Sequence, residues 1–170
     1  QGKVGGRLLE VCMELGARML TLSELACDAE EGRAMLRRAL ASGKALDKLA
    51  QMIEAQGGDA ECTRNPWVLP VADCTAQIIA SEAGYVQHVD ALTLGRAAMA
   101  MGAGRSRKED DVDLACGILV AKSVGDMVSP GEPLARLYAS SDGLLREGTA
   151  IAGAAFAIGA EPAIAPTLIY

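Results

Sequence analysis

The sequence predicts an α+β fold in which a helical segment is followed by a smaller unit of strands arranged around a helix. Apolar residues recur at helical spacing up to about residue 57. From about residue 75, short alternating or continuous apolar runs are separated by clusters of Gly, Pro and Asp, as strands and turns require. With 170 residues, the chain can bury enough surface on folding for one or two hydrophobic cores.

Three helices are predicted at the start of the chain. The first runs from Arg7 to Ala26, and its apolar residues follow the i, i+3, i+4 spacing of one buried stripe. That stripe consists of Leu8, Val11, Cys12, Leu15, Met19 and Leu22. Asp28 is suited to cap the second helix and Gly43 to terminate it. A third helix ends at Gly57-Gly58, and the short gaps indicate antiparallel, locally packed neighbours.

A connector without periodicity follows the helices, because Asn65-Pro66 and Pro70 interrupt any regular element. Trp67 is the only tryptophan, and we expect it to anchor this connector on a neighbouring surface. The later elements are predicted as strands Gln77–Ser81, Gly84–Val89, Val112–Ser123 and Pro133–Tyr138, helices Ala91–Met101 and Asp142–Ile158, and an extended tail Ile164–Tyr170.

Composition excludes several classes of function. The net charge of −6 argues against a nucleic-acid surface, since phosphate contacts require clustered Lys and Arg. The five cysteines show no zinc-like spacing with His88, and Cys12 and Cys116 are predicted as small core residues. Reduced thiols and the absence of a signal peptide or membrane span favour a cytoplasmic protein.

Two long motifs relate the chain to a known family. Gly102 to Tyr138 reads G-A-G-R-S-R-K-E-D-D-V-D-L-A-C-G-I-L-V-A-K-S and then V-G-D-M-V-S-P-G-E-P-L-A-R-L-Y. A-Q-G-G-D precedes it at residues 55–59, and P-T-L-I-Y closes the chain. Together these segments closely resemble, in order and spacing, the C-terminal part of pyrimidine nucleoside phosphorylases, the thymidine phosphorylase family.

The resemblance implies a division into domains. Residues 1–57 would be the last helices of the family's large α/β, phosphate-binding domain, and residues 58–74 a connector. Residues 75–150 would form the small hammerhead-like, barrel-sandwich-like C-terminal domain, and residues 151–170 a tail that packs back. Helices at 7–57 would then normally pack on strands upstream, so their apolar stripe should drive association when those strands are missing.

The implied activity is the reversible cleavage of pyrimidine nucleosides by orthophosphate, giving the base and (deoxy)ribose 1-phosphate. The family's signature S-G-R-G-x-x-x-T-G-G-T-x-D-K-x-E occurs nowhere in the sequence. We therefore assign no catalytic, cofactor-binding or metal-binding residue and expect this chain alone to be inactive. Its implied partners are the missing N-terminal part, the nucleoside and phosphate, and a second subunit in the full-length homodimer. Neither nucleic acid nor membrane is expected.

Several residues nevertheless resemble functional groups. Gly102-Ala103-Gly104-Arg105 could form an anion-binding nest, but a structural turn with Arg105 or Arg107 paired to carboxylates is favoured. His88 lacks partners for catalysis and is interpreted as a surface or satisfied histidine. The run Glu109, Asp110, Asp111 and Asp113 is interpreted as a solvated acidic face, because consecutive carboxylates on extended backbone point to opposite faces.

A second function remains open, namely a free-standing binding or assembly module with a biotinyl- or lipoyl-like sandwich. G-Y-V followed by V-G-D-x-V-x-x-G-E-P-L-A resembles such carrier domains. A carrier needs an exposed lysine at a hairpin tip with characteristic flanks, and neither Lys108 nor Lys122 has them. The sandwich architecture is therefore favoured over the carrier activity.

Overall fold

A computed structural model describes residues 5–105 and 107–169 and confirms the α+β fold. The residues before Gly5, Ser106 in the glycine loop and Tyr170 in the predicted tail lie outside the described part. The chain forms two compact units. One comprises the chain up to Val68 together with the segment from Thr167, and the other comprises Leu69–Pro166.

The first unit contains the three predicted helices, α1 (Arg7–Leu22), α2 (Ala29–Ala41) and α3 (Lys44–Ala55). The Asp28 carboxylate accepts a hydrogen bond from the Glu31 backbone N–H at 2.9 Å, which confirms the predicted cap. Gly43 adopts φ 80°, a left-handed conformation that suits glycine, between α2 and α3.

The first helix ends earlier than its predicted limit at Ala26. Glu24 takes φ 59°, and the backbone N–H groups of Leu25 and Ala26 both donate to the Leu20 carbonyl oxygen. These bonds satisfy the end of the helix and reverse the chain before α2.

Small residues allow α1 and α2 to approach closely. Ala17 is fully buried, and a Cβ atom on Gly32 would lie 2.9 Å from the Ala17 Cα atom. The Glu14 carboxylate joins the same two helices by accepting a bond from Arg33 Nη2 at 2.7 Å. Packing and an ion pair therefore fix one side of α1 against α2.

The connector consists of two short 3-10 turns, Ala60–Thr63 and Pro66–Val68. Trp67 is 86% exposed, so the predicted anchoring role is wrong for the structure described. Hydrogen bonds within the connector stabilise it instead. The Asn65 side-chain oxygen accepts a hydrogen bond from the Trp67 backbone N–H, and the Asn65 backbone carbonyl accepts one from the Val68 backbone N–H.

The second unit is built from two three-stranded antiparallel sheets and two helices. Its strands are β1 (Cys74–Ile79), β2 (Gly84–Val89), β3 (Gly117–Val120), β4 (Met127–Val128), β5 (Pro133–Ala139) and β6 (Phe156–Gly159), and its helices are α4 (Ala91–Ala100) and α5 (Asp142–Ala152). The strand orders are β1-β5-β3 and β4-β2-β6. Consecutive strands β1 and β2 therefore lie in different sheets.

Several elements of the second unit differ from the sequence prediction, and β1 begins at Cys74 rather than at the predicted Gln77. The helix predicted to reach Ile158 ends at Ala152, and Phe156–Gly159 forms β6 beside β2. Ile158 lies opposite Val86 in this pairing, so tertiary contacts outweigh the helical spacing of the small residues. The strand predicted over Val112–Ser123 is confined to Gly117–Val120, because Asp113 takes part in a turn.

Both sheets and both helices contribute to one hydrophobic core. Its largest fully buried side chains are Val86, Met101, Val128 and Leu137. Residues of both sheets meet there, as a sandwich-like unit requires. None of the helices in the described part of the chain combines the length and apolar character needed to cross a membrane.

Candidate functional site

The glycine loop after α4 has the geometry of a helix-terminating turn. Gly102 adopts φ 94°, its N–H donates to the Met99 carbonyl, and its own carbonyl accepts from the Asp113 N–H at 2.9 Å. A Cβ atom on Gly104 would lie 2.8 Å from Met99 Cγ. Both glycines thus satisfy conformational or packing requirements of the turn itself.

The charged residues of this loop form local contacts. Arg105 and Arg107 are exposed, and the Arg107 backbone N–H donates to the Asp110 carboxylate at 2.8 Å. Asp113 accepts from the Ala115 N–H at 2.9 Å. That hydrogen bond is the largest cause of the lowered pKa of Asp113, and hydrogen bonds with the Cys116 thiol and the Ser140 hydroxyl lower this pKa further. The carboxylate therefore stabilises the approach to β3.

The cysteines and acidic groups do not assemble into a metal centre within residues 5–105 and 107–169, where no three His, Cys, Asp or Glu side chains come close enough together. Burial, and then the neighbouring Asp113, raises the pKa of the Cys116 thiol, which disfavours a reactive thiolate. Cys12 is exposed rather than a core residue as predicted.

His88 is exposed on β2, opposite Ala157 of β6. The nearby carboxylate of Asp90 has a structural role, because it caps α4 by accepting from the Leu92 N–H at 3.0 Å and the Thr93 hydroxyl at 2.6 Å. The Thr93 bond is the main cause of the lowered pKa of Asp90. His88 therefore occupies a surface strand position, as predicted.

Lys122 is engaged in an ion pair at the base of a turn. Its ammonium group bonds to the Glu132 carboxylate, which also accepts from the Ser129 N–H at 3.0 Å. The Lys122 bond is the largest cause of the lowered pKa of Glu132. Since the Lys122 backbone N–H also donates to the Leu134 carbonyl, this lysine joins the ends of β3 and β5.

The helical unit contains a cavity of about 720 Å³ with several arginines in its wall. It is lined by Gly6, Arg7, Leu9, Glu10, Met13, Glu14, Arg33, Arg37 and Ile169. Arg33 bonds to both Glu14 and Glu30, and Glu14 also accepts from Arg18 at 2.8 Å. These carboxylates offset the positive charge of the wall, so the cavity is poorly suited to an anion such as phosphate.

The predicted apolar stripe of α1 is largely exposed. Five of its residues, which we call the α1 seam, are exposed: Leu8, Cys12, Leu15, Met19 and Leu22. The expectation of a buried stripe is therefore wrong for the contacts in the described chain. Helical periodicity identified the face, but it cannot show whether the chain itself supplies a covering surface.

Comparison with known proteins decides the family. Residues 85–159 match the family described as pyrimidine nucleoside phosphorylase C-terminal domain. This chain carries that domain. The predicted resemblance to pyrimidine nucleoside phosphorylases is thereby confirmed, and the phosphorylase C-terminal domain extends from the second residue of β2 to the end of β6.

The similarity to phosphorylases continues beyond this domain. The pyrimidine-nucleoside phosphorylase of Geobacillus stearothermophilus is 40% identical over 167 residues, covering 95% of this chain and 37% of the relative. That of Bacillus subtilis is 43% identical over 135 residues, covering 79% and 31%, respectively. That of Staphylococcus haemolyticus is 38% identical over 141 residues, covering 83% and 33%. The chain thus spans about a third of the length of these relatives.

Proposed function

We propose that this chain is the C-terminal part of an enzyme that reversibly cleaves pyrimidine nucleosides with orthophosphate. The products are the free base and (deoxy)ribose 1-phosphate. The observation that carries this proposal is the match of residues 85–159 to the phosphorylase C-terminal domain, supported by relatives named pyrimidine-nucleoside phosphorylase. The proposed activity belongs to a pentosyltransferase whose nucleoside-binding and phosphate-binding groups lie in other parts of the polypeptide.

In this proposal the chain is a scaffold that braces the catalytic part and is inactive alone. The family's phosphate-binding signature is missing from the sequence. The polar groups that first suggested chemistry have structural partners, since Asp113 forms a turn and Lys122 pairs with Glu132. Phosphorolysis needs donors for phosphate and for the departing base, held in line with the sugar. The described residues show no such arrangement.

The proposed setting is a cytoplasmic homodimer of the full-length enzyme. All five cysteines are free, as is usual for proteins of a reducing compartment. The dimer would form through segments outside this chain. Orthophosphate is the proposed cosubstrate, and no further cofactor is expected in this part of the enzyme.

The activity is tested with three purified proteins: this chain, the Geobacillus stearothermophilus relative, and a chimera. In the chimera, the part of the relative that precedes its similarity to this chain is joined ahead of residue 1. Thymine or uracil release from thymidine or uridine is followed with and without phosphate. We expect phosphate-dependent release by the relative and the chimera, and none by the chain. Turnover by the chain alone would refute the scaffold role, and an inactive, folded chimera would count against the proposed activity.

A further inference from the structure

We draw no further inference here: the strongest candidate, the cavity of about 360 Å³ between the end of α2 and the start of α3, rests on a helix N-terminus beside the exposed cations Arg38 and Lys44, and none of the described residues has a buried side-chain polar atom without a partner that would indicate an anion there.

Discussion

Individual residues fix the packing of the phosphorylase C-terminal domain where helices cross closely. Gly148 of α5 is buried against Met101, which is itself fully buried. A Cβ atom built on Gly148 would overlap the Met101 Cγ and Sδ atoms and lie 3.4 Å from the Ala97 carbonyl oxygen. The absence of a side chain at this position therefore sets the distance between α4 and α5.

We predict that Gly148→Ala destabilises the chain relative to Gly95→Ala. Gly95 is an exposed helical position with nothing within 4 Å of a new Cβ atom, so alanine there should gain up to about 1 kcal/mol from helix propensity. Gly148→Ala gains the same propensity but overpacks the core, which costs about 1–3 kcal/mol. Urea unfolding should show this difference between the two variants. Equal stabilities would mean that Met101 has room to move.

Residue roles were predictable where they depend on local backbone geometry. Asp28 as a helix cap and Gly43 as a helix terminator follow from neighbours within a few residues. Trp67 and Cys12 were misassigned, because their burial depends on surfaces far away in the sequence. In the candidate site, too, local features could be predicted from the sequence and long-range contacts could not. A glycine turn could be predicted at Gly102, whereas the Lys122–Glu132 pair required the return of β5.

At the scale of elements, long-range pairing decided the differences between sequence and structure. The segment after Ala152 has small residues that suit a helix, yet Phe156 and Ile158 pair with Val89 and Val86. The two-residue β4 carries too few residues for a strand pattern and is defined by its pairing with Gly84 and Tyr85. Periodicity thus located the elements, and their partners determined their ends.

One ion pair between elements should make the helical unit sensitive to acid. Hydrogen bonds from Arg33, and then from Arg18, hold the pKa of Glu14 below its ordinary value. A carboxylate with a lowered folded-state pKa stabilises the folded state above its unfolded pKa of about 4.3. That contribution is lost as the pH falls below this value toward the lower folded pKa. The link between α1 and α2 is therefore present at neutral pH.

We accordingly predict that Glu14→Gln lowers the unfolding midpoint of the helices at pH 7. The difference from the unmodified chain should shrink as the pH falls below about 4.3, because the native carboxylate then becomes protonated as well. Helical circular dichroism during urea titration at several pH values measures the effect. Glu10→Gln, at an exposed position of the same helix, serves as the control. A Glu14→Gln deficit that is constant from pH 7 to pH 3 would contradict this linkage.

On the scale of the whole molecule, buried apolar surface is divided unevenly between the two units. Fourteen buried residues form the core of the second unit. In the described part of the helical unit, the buried hydrophobic residues are Ala17 and Ala26. Burial of apolar side chains is the main stabilising contribution to folding. The chain alone should therefore be stable in its sheets and weakly stable in its helices.

We predict that the two units open separately when hydrogen exchange is measured on the chain alone. Peptides from α1–α3 should exchange rapidly, because little burial opposes local unfolding there. Peptides from β1, β2 and β5 should be protected, since their opening exposes the common core that contains Val86 and Leu137. In an active chimera the helical peptides should gain protection while the sheet peptides change little, because the upstream part that the family resemblance implies would pack on α1–α3. Equal protection of both units in the chain alone would contradict the weak stability predicted for α1–α3.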